Sequence, residues 1–149
     1  MSAQLALRDA VLSALLAAPA MAGGYVQANR RRPVPEQTAQ AVFVYLEQST
    51  AEPAAMHGNG RVDWTTQLRI ECLARRSGGL DADDAADALA SSVYARLLGN
   101  ANLGGLLLAP LEVTAIAWAE DEVDCQLSGV QLLATVRHRT ENPSLAAAN

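Results

Sequence analysis

The feature that most constrains the fold is an alternation of apolar and polar side chains across residues 61–76. One set of alternate positions consists of Val62, Trp64, Thr66, Leu68, Ile70, Cys72 and Ala74. The intervening positions are polar, with Leu73 as the one exception. A period of two is typical of a β-strand with one buried face and one face in water. Because strands usually span ~3–10 residues, we expect this one to bend or to extend beyond its own domain as an arm.

Four further segments are predicted strands, because β-branched and aromatic side chains are frequent in them or alternate along them. They are residues 25–30, 41–48, 113–118 and 126–139. Residues 49–60 precede the long alternating strand and contain proline and glycines, which predict a loop.

Two helices complete the pattern. The first follows Ser2, a candidate N-cap, and stops at Pro19. The second follows Asp81 and carries apolar side chains at steps of three and four residues, with Gly99 as its expected C′ residue. The apolar stripe consists of Ala82, Ala86, Leu89, Val93 and Leu97.

The order α-β-β-β-α-β-β predicts the α+β class. We expect a mostly antiparallel sheet of about five strands with two helices packed on one face. The length suits a single domain, which we place at residues 1–140, followed by a flexible C-terminal tail at residues 141–149.

The first helix has leucines on one half of its helical wheel and alanines on the other. Two weakly polar faces favour packing on both sides, against a sheet and against a second helix or another subunit. The same stretch imitates the apolar core of a signal peptide, although Arg8 beside Asp9 leaves no basic excess before it. The alternative is a secreted α+β binding domain with a Cys72–Cys125 disulfide.

Motifs for catalysis and metal binding are missing from the sequence. All 11 basic residues are arginine, which excludes Schiff-base chemistry and a P-loop lysine. The residues His57, Cys72, Cys125 and His138 do not have the spacing of zinc ligands. We therefore expect no catalytic residues, no cofactor and no metal. The alternative is a small enzyme that uses Cys72 or His138.

The basic side chains form one local cluster in an acidic chain. The formal net charge of −5 argues against a general nucleic-acid binder. Arg30, Arg31 and Arg32 are a local exception, interpreted as a solvated loop, with a phosphate clamp as the alternative.

A run of carboxylates lies between the last two predicted strands. It consists of Glu120, Asp121, Glu122 and Asp124. The run has two interpretations: a solvated hairpin tip, or an acidic patch offered to a partner or to the lumen of an assembly.

The order and the amino-acid sequences of six segments resemble a known family. LALRDAVLSALLAAPAMAGG is the first helix with its glycine turn, and YVQANRRRPVP is the strand and loop that follow. AVFVYLEQS and VDWTTQLRIECLARR are the central strands, DADDAADALASSVYARL is the second helix, and VQLLATVRHRT is the last strand. Together they resemble the tail-terminator proteins (minor tail or tail-completion proteins) of long-tailed bacteriophages and prophages. The likeness extends over about residues 3–140, and neck and head–tail joining proteins share much of it.

The resemblance implies a structural virion assembly protein without catalytic residues. Family members form a ring, commonly a hexamer, on the head-proximal end of the tail tube, stop its polymerisation and join the DNA-filled head. The implied partners are further copies of the chain, the tail tube protein and a head-completion or connector protein. DNA passes through without being specifically bound, no membrane is involved, and assembly takes place in the bacterial cytoplasm. A neck or head–tail joining protein of the same fold is the alternative.

These implications single out two candidate surfaces. A ring requires two different complementary patches on each subunit, and acidic loops in a DNA channel repel phosphates. We therefore expect the carboxylate run, or residues 49–60, to face the lumen or the tube. The candidate residues for contact with a neighbouring subunit or the tube are Arg30, Arg31, Arg32, His57 and Asn59.

Overall fold

Helix α1 (Ala3–Leu16) begins where the sequence predicts, because the Ser2 side chain accepts a hydrogen bond from the Leu5 N–H at 3.3 Å. The geometry comes from a computed structural model that describes residues 1–52, 60–141 and 145–146. Helix α2 (Ala82–Gly99) follows Asp81 at its N-cap position. Acidic side chains stand in the first turn of α2, where the helix dipole favours negative charge.

Five strands form one mixed sheet within the described residues. They are β1 (Val26–Ala28), β2 (Gln40–Ala51), β3 (Arg61–Ala74), β4 (Glu112–Glu120) and β5 (Ser128–Glu141). Their order across the sheet is β1-β2-β3-β5-β4. Strand β1 runs parallel to β2, and every other neighbouring pair is antiparallel. The α+β class and the predicted order of elements are confirmed.

The long alternating strand is the centre of the sheet. Strand β3 pairs with β5 over its whole length, from Arg61 opposite Glu141 to Ala74 opposite Ser128. On its other side it pairs with β2, which carries a register shift between Leu46 and Gln48. The expectation that this strand extends beyond the domain as an arm is therefore wrong, because both of its edges are hydrogen-bonded inside the sheet.

Both helices cover one face of this sheet and bury the main core. Helix α1 packs on β1 and β2, and α2 packs on β3 and β5. The inward side chains predicted from the alternation are buried there, including Leu68, Ile70 and Cys72 of β3. Fully burying one such aliphatic side chain contributes ~1.5–3 kcal/mol, so this face supplies most of the apolar stabilisation.

The opposite face carries a smaller apolar cluster that explains the break in the alternation. Leu73 points away from the helices and is 1% exposed, packed with Ala41, Phe43, Val34 and Leu127. Two of these, Val34 and Leu127, come from loops outside the sheet. The single apolar residue on the polar side of β3 is therefore the sign of loops that fold over that face.

An arginine of α2 ties the end of α1 in place. The Arg96 guanidinium donates hydrogen bonds to the carbonyl oxygens of Ala14, Ala17 and Pro19 at 3.0, 2.8 and 2.8 Å. The last carbonyls of a helix have no partner within the helix, and a cation there also interacts favourably with the helix dipole. One side chain thus completes the C-terminal end of α1 and fixes it to α2.

Several predicted boundaries differ from the structure. Strand β1 is shorter than residues 25–30, because Asn29 takes a left-handed φ of 58° that ends the extended backbone. Gly99 is the last residue of α2 and Asn100 is the cap, so the expected C′ role of Gly99 is wrong. In the predicted C-terminal tail, the Leu145 carbonyl accepts a hydrogen bond from the Ala3 N–H of α1 at 2.7 Å.

Candidate functional site

Two loops meet on the face of the sheet that the helices leave open. One joins β1 to β2 over residues 29–39, and the other joins β4 to β5 over residues 121–127. Val34 of the first and Leu127 of the second are buried in the same apolar cluster. Two ion pairs, Arg30–Asp121 and Arg75–Asp124, lie beside this cluster, and we call them together the clasp.

The Arg30–Asp121 pair joins the two loops directly. The guanidinium nitrogens Nη1 and Nη2 donate to Oδ1 and Oδ2 at 2.8 and 3.0 Å, which is the bidentate geometry of a strong charge-assisted pair. The side chains are 13% and 6% exposed, and the guanidinium carbon lies 6.0 Å from the centre of the Phe43 ring. Burial alone would raise the pKa of the Asp121 carboxyl, but its hydrogen bonds to Arg30 and the Arg30 charge outweigh that effect and lower it.

The second pair of the clasp starts from the end of β3. The Arg75 guanidinium lies 2.7 Å from an Asp124 carboxylate oxygen, and it donates to the carbonyls of Thr38 and Val34 at 3.2 and 3.1 Å. The Asp124 carboxylate also accepts from the Gln126 N–H at 3.0 Å. That backbone bond and the Arg75 guanidinium lower the pKa of Asp124. Arg75 therefore holds both loops at once.

The predicted acidic run divides into two classes of carboxylate. Asp121 and Asp124 are neutralised in the clasp, whereas Glu120 and Glu122 are exposed and form no ion pair within the described residues. The free acidic surface at this turn is therefore two carboxylates rather than four. Whether it faces a lumen stays a prediction.

The predicted basic cluster divides in the same way. Arg30 is committed to Asp121, while Arg31 and Arg32 are exposed and unpaired in the part of the chain that the structure describes. His57 and Asn59 lie outside the described residues. From the sequence, the basic and acidic clusters are expected to be separate surfaces. In the structure, Arg30 of the basic cluster binds Asp121 of the acidic run.

Neither cysteine takes part in a disulfide. Cys72 is buried in the main core and Cys125 is exposed in the β4–β5 loop, and both are free thiols. The disulfide expected for the secreted alternative is therefore wrong. Burial, with the nearby Glu71 carboxylate, raises the pKa of Cys72 to about 12, so its thiol stays protonated and unreactive at neutral pH.

His138 belongs to a short chain of polar groups inside the domain. Its Nε2 lies 2.7 Å from the Thr66 hydroxyl, which lies 2.6 Å from the Ser49 hydroxyl. The side chain is 2% exposed, its Nδ1 has no hydrogen-bond partner among the described residues, and burial lowers its pKa. This is an internal bridge between β2, β3 and β5. Searched over the described ranges, the chain holds no cluster of three or more residues that could ligate a metal.

Comparison with known proteins gives a structural neighbour. No family model matches the sequence, and no curated protein matches it significantly. None of the helices in the described ranges is long and apolar enough to cross a membrane. The fold is similar to a chain in the solved structure of the virion of a native gene transfer agent (GTA) particle, with a TM-score of 0.61 over 90% of this chain and 95% of that chain, at 18% identity. The two chains share a fold over nearly the whole length of each.

Proposed function

We propose that the protein is a structural component of a phage-like virion and acts as a tail terminator. The observation that carries this proposal is the fold shared with a chain of a gene transfer agent virion over nearly the full length of both chains. The sequence pattern, which resembles tail terminators over about residues 3–140, supports the same assignment independently of that comparison.

In this role the chain forms a homo-oligomeric ring of six copies on the head-proximal end of the tail tube. The ring stops further addition of tube protein and presents the surface that a head-completion or connector protein joins. The protein works through its surfaces and carries no catalytic step. The Cys72 thiol supports this, because it is buried in the main core and is not placed to meet a substrate.

The ring surrounds DNA without gripping it. Glu120 and Glu122 are the exposed carboxylates of the β4–β5 turn, and facing the lumen they would repel the phosphates of passing DNA. The clasp supports this arrangement, because Arg30 and Arg75 hold the loop between β4 and β5 against the sheet and so fix the direction in which the turn projects.

The test is assembly of the purified chain, alone and with tail tubes of the same genome. Native mass spectrometry and negative-stain imaging at several concentrations should show closed six-fold rings, free or bound at one end of each tube. Added during tube growth, the chain should shorten the tubes in proportion to its concentration.

One result would distinguish a tail terminator from the neck or head–tail joining alternative, and another would overturn the proposal. A chain that binds a connector ring but leaves tube length unchanged is a neck or head–tail joining protein of the same fold. A chain that stays monomeric at every concentration and ignores tube ends overturns the proposal.

A further inference from the structure

Strand β4 has no neighbouring strand on one side and carries exposed apolar side chains. It is one of the two edge strands of the sheet, and neither helix packs on it extensively. Trp118 is 64% exposed and Ile116 is 45% exposed, beside Tyr94 of α2 at 40%. Natural edge strands are usually protected by charge, proline or a covering element, and an exposed apolar patch of this kind marks an interaction site. We call Trp118 and its neighbour Asp87, which accepts a hydrogen bond from the indole N–H at 3.3 Å, the knob.

A cavity of about 210 Å³ lies at the other end of the domain. Ala6 and Leu7 of α1, Leu106 and Leu108, and Arg61 at the start of β3 are among the residues that line it. We call this cavity the socket. It is smaller than the ~300–1,000 Å³ of ordinary small-molecule pockets, which suits a single large side chain better than a free metabolite.

The knob and the socket are complementary in chemistry. The knob joins an indole to the Asp87 carboxylate. The socket joins exposed leucines to Arg61, whose guanidinium is exposed and makes no ion pair with any described residue. An aromatic side chain in an apolar recess with an opposite charge at its rim is the usual composition of an interface hot spot.

One copy cannot satisfy both surfaces by itself. Leu132 lies beside the knob and His138 beside the socket, and six residues of strand separate their Cα atoms by about 20 Å. Two different complementary patches on one chain define a head-to-tail contact, which generates a closed ring when the rotation between copies closes.

We propose that Trp118 of each copy inserts into the socket of the next copy, with Asp87 facing Arg61 across the contact. The inference rests on the proposed ring and names the contact that closes it. The Trp118→Ala variant should weaken association by about 30-fold or more, as loss of a central aromatic anchor does. The matched control Val123→Ala removes another exposed apolar side chain, 72% exposed in the β4–β5 loop, and should assemble as the wild type does.

Mixing two variants tests the head-to-tail geometry. Trp118→Ala keeps a socket and lacks a knob, whereas Ala6→Phe fills the socket and keeps the knob. Each alone should be monomeric in native mass spectra, and an equal mixture should give dimers and nothing larger. Ala88→Phe, at an exposed position of α2, is the control for adding a phenylalanine to a helix.

Exchanging the charges of Asp87 and Arg61 tests whether these two side chains face each other across the contact. Asp87→Arg and Arg61→Glu should each reduce ring formation, and the double variant should restore it. Rings of Trp118→Ala indistinguishable from wild-type rings overturn this contact and leave the proposed function standing, and larger assemblies in the mixture do the same. A wild type that forms no ring, even on tubes, overturns both.

Discussion

Arg30 and Asp121 form the ion pair that joins the two loops of the clasp directly. Both side chains are largely removed from water, and the pair is bidentate. Taking two charges out of water costs free energy that only their mutual contact offsets. The pair therefore adds little net stability over an apolar pair of the same shape, yet its disruption is costly, because the remaining charge is buried without a partner.

Arg30→Ala should lower the free energy of unfolding by about 3 kcal/mol, the cost of stranding one member of a buried ion pair. Urea unfolding followed by circular dichroism measures it. The neighbouring Arg31 is exposed, so Arg31→Ala should change stability by less than ~0.5 kcal/mol. Equal losses in the two variants would mean that the Arg30 effect comes from net charge and not from the clasp.

His138 gives the protein a pH dependence near neutrality. Burial lowers the pKa of the folded imidazole below its usual 6.5, so the unfolded chain binds a proton first as the pH falls. The contribution of the His138 imidazole to the free energy of unfolding is fully present above about pH 6.5. Below that pH it falls by at most ~1.4 kcal/mol per pH unit. Asp121 and Asp124 have lowered pKa values, so they act near pH 4 and below, outside this window.

Urea unfolding at a series of pH values between about 7.5 and 5 tests this assignment. The wild type should lose stability steadily below about pH 6.5. His138→Gln cannot be protonated, and its stability should stay level over the same range even if its absolute value is lower. A variant with the slope of the wild type would show that another group titrates there.

At the scale of elements, α1 packs on the sheet and is also held by α2. Its buried face consists of Ala3, Leu7, Val11 and Leu15, and its C-terminal carbonyls are bound by Arg96. The helix was expected to pack on two sides because neither half of its wheel is polar. Its outer side keeps Leu5 and Leu16 exposed.

Arg96→Met should destabilise the domain by about 1–2 kcal/mol, because three carbonyl groups lose a charged donor. Hydrogen exchange should show that the last turn of α1 loses protection before α2 does. Arg96→Lys keeps the charge but loses the forked geometry, so it should recover part of the loss. Ser91→Ala, at an exposed position of the same helix, should leave exchange in α1 unchanged; a similar change there would argue against the Arg96 contact.

The elements that the sequence predicted well are those whose signal is local. The alternation along β3 and the capping of α1 by Ser2 depend on neighbouring residues, and both are present. The parallel position of β1 beside β2 and the order β1-β2-β3-β5-β4 depend on pairings between distant segments, for which no local period exists. The Arg30–Asp121 pair of the clasp joins residues 91 positions apart. The apolar Leu73 on the polar side of β3 was the one sequence sign that loops cover this face.

For the whole molecule, the two faces and two ends of the sheet have different roles. The helices occupy one face, and the clasped loops occupy one end of the other. The edge strand β4 connects them: its side chains Ile116 and Trp118 stand beside α2, and its end leads into the acidic turn. In the proposed ring, the same strand would therefore supply a subunit contact and lead into the segment that faces DNA.

The charge of the acidic turn is the part of this arrangement that DNA would sense. With Asp121 and Asp124 paired to arginines, only Glu120 and Glu122 contribute net negative charge at the turn. Replacing both with glutamine should leave the clasp and the ring intact. Repeated around six copies, it removes twelve charges from a lumen that is proposed to repel phosphates. Assembled rings of the double variant should retain short duplex DNA several-fold more strongly at low salt, and added salt should abolish the difference because exposed charges are screened.

The matched control is Glu112→Gln, an exposed carboxylate at the opposite end of β4. Fluorescence anisotropy of labelled duplex DNA with rings of each variant compares them at equal subunit concentration. Removing a negative charge weakens the general repulsion of DNA in every variant, wherever the charge lies. An additional increase in DNA binding is expected for the Glu120 and Glu122 pair only if the turn faces the channel. The comparison is therefore made per charge removed. Equal effects of Glu112 and of the Glu120 and Glu122 pair on this scale would place the acidic turn outside the lumen, while the clasp that shapes it would remain.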